Sequence, residues 1–239
     1  MTELLNSIIL VTGANGGLGR EFVRQALDRG AQKVYATARK PQDWDDPRII
    51  PLALDVTDPA SVAAAAEAAN DTTVVVNNAG SGNRSRLLSI TLSDLRSLYE
   101  TNVFGPLTVA QTFAPVLAKN GGGSLVDIHS ALSWVSTPSA YPSTKAAFWS
   151  LTNGLRIELA GQVTHVLGAH LGFADTRLTA GLDVPKEDPR DIVAAIYDGL
   201  EAGEHEVLAD DATRKIKGKL SEPLEALYPQ FAATPVEEQ

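Results

Sequence analysis

The chain has 239 residues, of which 20 are Lys or Arg and 29 are Asp or Glu, so its formal net charge at pH 7 is −9. This length suits one large domain with a sizeable buried core, and because no basic run offsets the acidic balance, nucleic acid and anionic membranes are poor partners. The chain contains no cysteine, which excludes a disulfide framework, a thiolate metal site and a thiol nucleophile.

The start of the chain does not look like a targeting segment. The first twenty residues carry Glu3 and no basic residue before Arg20, and their longest apolar run is residues 8–11. Such a segment is typical neither of a signal peptide nor of a membrane span. We therefore expect a cytoplasmic protein whose partner is a small molecule.

Short apolar runs, typical of buried strands, alternate with longer segments in which apolar residues recur at helical spacing. The predicted strands are residues 8–11, 33–38, 49–54, 74–76, 124–129, 163–170 and 206–208. The predicted helices are residues 20–29, 58–69, 93–118, 146–160, 191–202 and 211–228. This alternation indicates an α/β fold in which helices cover both faces of a parallel sheet.

No repeat or linker divides the chain, so we expect a single domain over residues 1–228. Residues 81–90 are polar and are predicted to form a loop. Residues 171–188 are irregular and form the candidate substrate loop, and residues 229–239 are expected to be a disordered tail. In parallel sheets, ligands bind at the carboxyl ends of the strands where the strand order reverses.

The glycine-rich stretch TGANGGLG, residues 12–19, joins the first predicted strand to the first helix. Its glycines allow a tight turn and let a diphosphate approach backbone N–H groups at the helix N-terminus. The spacing differs from the common GxGxxG fingerprint, and a plain turn is the alternative interpretation. The position of the stretch between strand and helix favours dinucleotide binding.

The end of the second predicted strand bears on the choice of cofactor. An NAD site usually offers a carboxylate roughly 20 residues past the glycines, to bind the ribose 2′-hydroxyl. Here that strand ends in TARK, where Arg39 matches a 2′-phosphate with paired N–H donors. We therefore predict NADP(H) rather than NAD(H), with a solvent-facing Arg39 as the alternative. Asp55 would bind the adenine amino group or cap the turn at Asp58.

Tyr141 and Lys145 are four residues apart, so on a helix they would lie on one face, one turn from each other. The ammonium group favours the phenolate, which makes the proton easier to release than that of a free tyrosine with a pKa of about 10. An isolated YxxxK is more often an ordinary surface pair. The rest of the chain therefore decides between the two interpretations.

Several other polar and apolar residues are candidates for the same site. Asn77-Asn78-Ala79-Gly80 would brace a ribose or simply form a turn. Asn102 lies within an apolar helix and needs partners if it is buried. The four histidines lack metal-ligand spacing, so we predict no metal site. Apolar residues that would line a substrate pocket or pack in the core are Trp134, Phe173, Leu178 and Leu182.

Taken in order, these pieces resemble the short-chain dehydrogenase/reductase family of the classical type. TGANGGLG is similar to its TGxxxGxG cofactor loop, the stretch at 77–80 to its NNAG motif, and Asn102, Ser130, Tyr141 and Lys145 to its catalytic tetrad. The resemblance covers the chain from Ile8 to about Leu208. It implies a Rossmann-like, doubly wound sheet of seven parallel strands in three αβα layers, and hydride transfer between a nicotinamide and a carbonyl or alcohol carbon.

The resemblance also implies a role for each member of the tetrad. Tyr141 would protonate the carbonyl oxygen and Ser130 would donate a hydrogen bond to it. Lys145 would bind the nicotinamide ribose and ease release of the tyrosine proton, while Asn102 would position a water molecule. The motifs and the resemblance together predict cofactor contacts at Gly13, Asn15, Gly17, Leu18, Gly19, Arg39, Asp55, Val56, Asn78, Ala79, Gly80, Tyr141, Lys145, Gly172 and Thr176.

Two features depart from the family pattern. Leu171-Gly172 stands where the family has Pro-Gly, so the loop over the nicotinamide, which includes Thr176, would be more mobile without the fixed φ of proline. The interval from Ser130 to Tyr141 is also a residue or two shorter than is common in the family, which leaves Ser133 or Ser136 as alternative donors to the substrate oxygen.

The sequence thus predicts an NADPH-dependent reductase of ketones or aldehydes. The alternatives are an NAD-dependent alcohol dehydrogenase working oxidatively and a non-catalytic dinucleotide sensor with the same fold. The long helices after Val103 and Tyr141 would pair between subunits, as in family members, to give a homodimer or homotetramer. Of the adjacent Phe148 and Trp149, one would serve such an interface.

Overall fold

The computed structural model describes residues 4–231. Residues 232–239, most of the expected disordered tail, lie outside the described residues. The first part of that segment is ordered, because Pro229–Phe231 forms a 3₁₀ turn and the Phe231 ring packs 5.7 Å from the ring of Tyr228. No helix in residues 4–231 combines the length and apolar character needed to cross a membrane.

Seven strands form one sheet in the described part of the chain. They are β1 (Ile8–Thr12), β2 (Lys33–Ala38), β3 (Ile49–Ala53), β4 (Val74–Asn77), β5 (Ser124–Ile128), β6 (His165–His170) and β7 (Glu206–Leu208). Their order is β3-β2-β1-β4-β5-β6-β7, and every neighbouring pair is parallel. The predicted Rossmann-like parallel sheet is confirmed.

Helices connect every successive pair of strands except β2 and β3, and they cover both faces of the sheet. They are α1 (Gly17–Asp28), α2 (Pro59–Ala68), α3 (Leu92–Tyr99), α4 (Gly105–Lys119), α5 (Tyr141–Leu159), α6 (Pro189–Ala202), α7 (Asp211–Gly218) and α8 (Leu224–Leu227). Because successive strand residues point to opposite faces, Ile9 and Val11 pack with α1 and α6, whereas Leu10 packs with α2, α4 and α5. This gives three layers.

Three predicted helix boundaries were wrong. The expected helix 211–228 is two helices, because Pro223 lacks an N–H group and begins a new turn. Helix α5 begins at Tyr141 rather than at residue 146, since Pro142 is tolerated in the first turn. Thr91 rather than Ser93 caps α3, and its hydroxyl accepts a hydrogen bond from Asp94 N (3.0 Å).

The predicted helix 93–118 is interrupted in the middle. A π-helical turn, Glu100–Phe104, separates α3 from α4, and the Gly105 N–H donates back to the Glu100 carbonyl. Such turns insert a residue into a helix and often occur at functional sites. Asn102, in the middle of this turn, is 1% exposed, so the interruption accompanies a buried amide that needs partners.

The strand order reverses between β1 and β4, and this places a crevice at their carboxyl ends. The Thr12 hydroxyl accepts hydrogen bonds from the N–H groups of Asn78 (3.0 Å) and Ala79 (2.9 Å) and donates to the Val76 carbonyl (3.2 Å). The Asn78 amide donates back to the Thr12 carbonyl (2.8 Å). These bonds hold the two strand ends together at the base of the crevice.

Replacing Thr12 with valine tests this junction. Thr12→Val keeps the volume of the side chain but leaves the Ala79 N–H group without its acceptor, at about 1–3 kcal/mol for a buried unsatisfied group, while the Asn78 N–H group keeps its bond to the Val76 carbonyl (3.0 Å). We expect the free energy of unfolding, measured by urea denaturation, to fall by about 1–3 kcal/mol. The control Thr108→Val removes only a bond from the Thr108 hydroxyl to the Phe104 carbonyl, one turn back in the helix, and should have little effect. Equal stability of both variants would contradict the role of Thr12.

Candidate active site

The loop between β1 and α1 is built around glycine. Gly13 has φ +69°, a conformation that L side chains rarely adopt, and a Cβ there would lie 3.0 Å from the Ala79 Cα. A Cβ at Gly19 would lie 2.2 Å from the Gly13 carbonyl oxygen. Other residues at these two positions would therefore push the loop away from the end of β4.

The same loop presents a helix N-terminus to open space. Helix α1 has no side-chain cap at Gly16, and a Cβ added at Gly16 would meet nothing within 4 Å. Its first N–H groups are therefore available to an anion such as a diphosphate. The Asn15 amide donates to the Lys40 carbonyl (2.7 Å), while its buried Oδ1 has no partner in the described residues. The open N-terminus of α1 suits the diphosphate of a dinucleotide, and the unpartnered Asn15 Oδ1 is available to accept a hydrogen bond from the same ligand.

Basic side chains gather beside this loop at the end of β2. Arg39 and Lys40 are exposed, and the Arg39 guanidinium forms no hydrogen bond or ion pair with any residue in 4–231. Arg20 on α1 lies 5.2 Å above the ring of Trp44 and donates to Gln42 (3.4 Å). Arg39 thus has all its donors available to a ligand.

Asp55 takes part in the turn before α2. Its Oδ1 accepts hydrogen bonds from the N–H (3.0 Å) and hydroxyl (2.8 Å) of Thr57, and these bonds lower the pKa of its carboxyl group. The cap of α2 is Asp58, which accepts from Ala60 N (3.0 Å). Val56 is buried, and its Cγ2 would lie 2.9 Å from a Cβ at Gly105. The predicted adenine contact of Asp55 stays a prediction.

Asn102 ties the loop after β4 to helix α5. Its Oδ1 accepts from the Ser81 N–H (2.8 Å), and its amide donates to the Ser81 carbonyl (2.9 Å) and to the Thr144 hydroxyl (3.1 Å). Thr144 in turn donates to the Tyr141 carbonyl (2.8 Å). Both amide N–H groups are used, so a water molecule positioned by this residue would have to bind an oxygen atom.

Tyr141 and Lys145 occupy the first two turns of α5. Lys145 is 8% exposed, and its ammonium donates to the Ile128 carbonyl at the end of β5 (2.8 Å). The same nitrogen lies 5.9 Å from the centre of the Tyr141 ring. The Tyr141 hydroxyl forms no hydrogen bond within residues 4–231, so it is available to an added ligand.

Burial controls the protonation of this pair. It raises the pKa of the Tyr141 phenol above its ordinary value of 10.0. It also lowers the pKa of Lys145 to about 8, an effect partly offset by the Asp127 carboxylate. The expectation that Lys145 lowers the phenol pKa is thus opposed by burial. At neutral pH the phenol carries its proton and the lysine is largely charged.

Ser130 lies two residues after the end of β5 and caps a 3₁₀ turn, Ala131–Ser133. Its Oγ accepts from the Leu132 N–H (3.1 Å), which leaves the hydroxyl hydrogen free to be donated. Of the two alternatives, Ser133 is buried with an unpartnered Oγ, and Ser136 is exposed and donates to the Thr137 carbonyl (3.2 Å). The choice between the three serines stays a prediction.

The substrate loop after β6 is anchored at its start. The Gly172 N–H donates to the Asp210 carboxylate (2.5 Å), which also accepts from Thr213 N (2.8 Å) at the start of α7. Leu171 is buried, and its carbonyl accepts from the Ala131 N–H (2.8 Å). These contacts anchor the position where the family proline is missing, and the greater mobility expected for the loop stays a prediction.

Further along, the loop reaches two other strand ends. Thr176 adjoins the glycine loop, since a Cβ at Gly17 would lie 3.0 Å from its Cγ2. Leu178 lies over Gly82, and the Arg84 guanidinium donates to the carbonyls of Leu178 (3.3 Å) and Ala180 (2.7 Å). The loop therefore bridges the ends of β1 and β4 and covers the crevice between them.

The four predicted pocket residues have different surroundings. Phe173 and Leu178 are 38% and 49% exposed, and Leu182 is half-buried. Trp134 instead stacks on His170, with ring centres 4.0 Å apart and an angle of 22°, and Trp149 packs edge-on at 6.3 Å. Core packing thus accounts for Trp134, and its place in a substrate pocket stays a prediction.

Sequence reasoning missed several residues of this region. Asp127 was the one with a local signal, because a carboxylate inside the apolar strand SLVDI is unusual. No local pattern marks Arg84, Thr144 or Asp210, because each acts through contacts with distant parts of the chain.

Comparison with known proteins agrees with this architecture. A family model described as short chain dehydrogenase matches residues 7–186. An uncharacterised oxidoreductase of Staphylococcus aureus is 30% identical over 222 residues, which cover 86% of this chain and 95% of that protein. A solved short-chain dehydrogenase of Burkholderia cenocepacia, in complex with NADP, is 33% identical with a TM-score of 0.90, covering 97% of this chain and 100% of that chain.

A second solved structure, of a short-chain dehydrogenase from Streptomyces avermitilis, is 31% identical with a TM-score of 0.80, covering 90% of this chain and 92% of that chain. The family match spans the strands and helices that carry the glycine loop, the buried asparagine and the tyrosine-lysine pair. The chain therefore belongs to the short-chain dehydrogenase family of oxidoreductases.

Proposed function

We propose that this protein is an NADPH-dependent reductase that converts a ketone or aldehyde to an alcohol. The observation that carries the proposal is the pair formed by the half-buried Tyr141 and the buried Lys145 at the start of α5, with a protonated phenol whose hydroxyl has no hydrogen-bond partner in residues 4–231. The NADP in the Burkholderia cenocepacia relative supports the choice of cofactor.

Nicotinamide supplies a hydride when the cofactor is bound, and the protein manages the charge that develops on the carbonyl oxygen. Tyr141 keeps its proton at neutral pH because burial raises its pKa, so it donates that proton as negative charge develops on the oxygen. Ser130 donates its unused hydroxyl hydrogen to the same oxygen. Lys145 stabilises the resulting tyrosinate through its positive charge.

Binding of the cofactor falls to the strand ends around the crevice. The N–H groups at the start of α1 and the loop 12–19 would hold the diphosphate. Arg39 would bind the 2′-phosphate, because its guanidinium is exposed and forms no hydrogen bond or ion pair with residues in 4–231. Thr176, against Gly17, would close the site over the nicotinamide.

We infer a small or medium uncharged carbonyl compound as the substrate. Phe173 and Leu178 expose apolar surface on the loop over the crevice. The loop contains two basic residues, and the ammonium of one of them, Lys186, lies 3.9 Å from the Asp175 carboxylate. Only Arg177 then remains to attract an acidic substrate, and a single cation attracts it weakly. An assay of a panel of carbonyl compounds, in which reduction is measured as the loss of NADPH absorbance, would identify the substrate class.

Substitution of the phenol tests the chemistry. Tyr141→Phe removes the proton donor, and general acids of this kind contribute about 10²- to 10⁴-fold, so we expect turnover to fall by that factor. Binding of NADPH, measured by fluorescence titration, should be unchanged. The control Tyr99→Phe removes a hydroxyl that donates to Ser143 (3.1 Å) and should keep turnover. Near-normal turnover of Tyr141→Phe would exclude the mechanism. A wild-type protein that binds NADPH tightly but reduces no carbonyl compound would instead favour the dinucleotide sensor.

A charge reversal tests the cofactor preference. Arg39→Asp should lower the ratio of NADPH to NADH efficiency, kcat/KM, by about 10- to 100-fold, because a hydrogen bond to a charged group contributes about 1.5–3 kcal/mol. The control Arg96→Asp makes the same change at an exposed position on α3 and should leave the ratio unchanged. A wild-type preference for NADH would instead support the NAD-dependent alcohol dehydrogenase.

We further propose a homodimer or homotetramer that pairs α4 and α5 between subunits. Phe104, just before α4, and Ile157 on α5 are 49% and 80% exposed. Trp149 is half-buried against Trp134 and His170, and its part in an interface stays a prediction. Light scattering should give a multiple of the 25.3 kDa chain mass. Ile157→Lys should reduce the measured mass, whereas the control Leu224→Lys, on α8, should leave it unchanged. A monomeric wild-type protein would exclude the proposal.

A further inference from the structure

Asp127 is a fully buried carboxylate that the proposed reaction does not use. It lies in the middle of the apolar strand β5 and is 0% exposed. Its Oδ2 accepts from the Thr152 hydroxyl on α5 (2.6 Å), and its Oδ1 accepts from the Asn77 amide at the end of β4 (3.0 Å). The carboxylate therefore points into the layer between the sheet and α5.

A charged carboxylate in such a place needs compensation, because removal from water disfavours the ionised form. Burial raises the pKa of Asp127 to about 6, and the bonds from Thr152 and Asn77 oppose that shift. The group is thus largely ionised at neutral pH. A buried cation that interacts with this charge is the Lys145 ammonium, which donates to the carbonyl of the next residue on the strand, Ile128 (2.8 Å).

We propose that Asp127 is a positioning residue that keeps the buried Lys145 ammonium charged while the enzyme works, and thereby supports proton donation by Tyr141. The carboxylate acts through space from β5 while the ammonium is held by the backbone of the same strand. The inference rests on the proposed function, in which Lys145 assists Tyr141.

The other groups around Lys145 do not replace this charge. Arg156, further along α5, is a cation whose guanidinium donates to the carbonyls of Val166 (3.2 Å) and His205 (2.8 Å). Burial lowers the pKa of His129, just after β5, and that of His170 on β6, the latter to about 4, so both are neutral. Tyr141 is neutral as well.

The expected pH dependence follows from the sign of this interaction. Lys145 has a pKa of about 8, held up by Asp127 against the effect of burial. Asp127→Asn removes the negative charge and should lower the Lys145 pKa by about one unit. The charged fraction at pH 8 would then fall from about a half to about a tenth, so turnover at pH 8 should fall about fivefold, with little change at pH 6.

The direct test is NMR of protein labelled with ¹³C in its lysine side chains. The ¹³Cε signal of Lys145, assigned by its absence in Lys145→Gln, reports the lysine pKa without turnover. We expect a value near 8 in the wild type, with a small second inflection near pH 6 as Asp127 titrates, and a lower value in Asp127→Asn. The control Asp94→Asn makes the same change at an exposed position on α3 and should keep the Lys145 pKa close to that of the wild type.

The outcomes separate this inference from the proposed function. An unchanged Lys145 pKa in Asp127→Asn, or a turnover reduced by the same factor at pH 6 and pH 8, would overturn the role of Asp127 even if carbonyls are reduced. If the wild type reduces no carbonyl compound, the proposed function fails, while the NMR titration still decides whether Asp127 holds the charge. If Asp127→Asn does not fold, the wild-type titration alone decides. A Lys145 ¹³Cε signal without an inflection near pH 6 in the wild type would overturn the inference.

Discussion

The site depends on the burial of one ammonium group. Lys145 is almost removed from water, and an unpaired charge in such a place is strongly disfavoured. Its bond to the Ile128 carbonyl offsets part of that cost and joins the start of α5 to the end of β5. Because Tyr141 lies one turn before Lys145 and Ser130 lies two residues after β5, the same bond holds together the two elements that carry these hydroxyl groups.

A second set of contacts holds the start of α5 from the opposite side. Asn102, in the π-helical turn, binds the backbone after β4 and the Thr144 hydroxyl, which binds the Tyr141 carbonyl. The first turn of α5 begins with Tyr141-Pro142 and has no side-chain cap. These bonds hold the first turn of α5 against the π-helical turn, and they connect the orientation of Tyr141 to the strand end that borders the cofactor crevice.

Local patterns predicted the fold well where one residue type decides the outcome. The strand 33–38 was predicted with its observed bounds, because an apolar run ends there at charged residues. The glycine loop was located because φ +69° at Gly13 and close packing at Gly19 suit glycine alone. The helix 211–228 and the start of α5 were wrong because the effect of a proline depends on whether it opens or interrupts a helix.

The sequence by itself determined the family resemblance, the order of strands and helices and the residues that gather at the strand ends, since these follow from periodicity and motif spacing. Only the tertiary structure decided how those residues are charged and held. Asn77 and Asp127 are 50 residues apart, and Asn102 and Thr144 are 42 apart, yet each pair forms a buried hydrogen bond. The pKa shifts of Lys145 and Tyr141 likewise arise from burial, and burial depends on which distant elements pack over a residue.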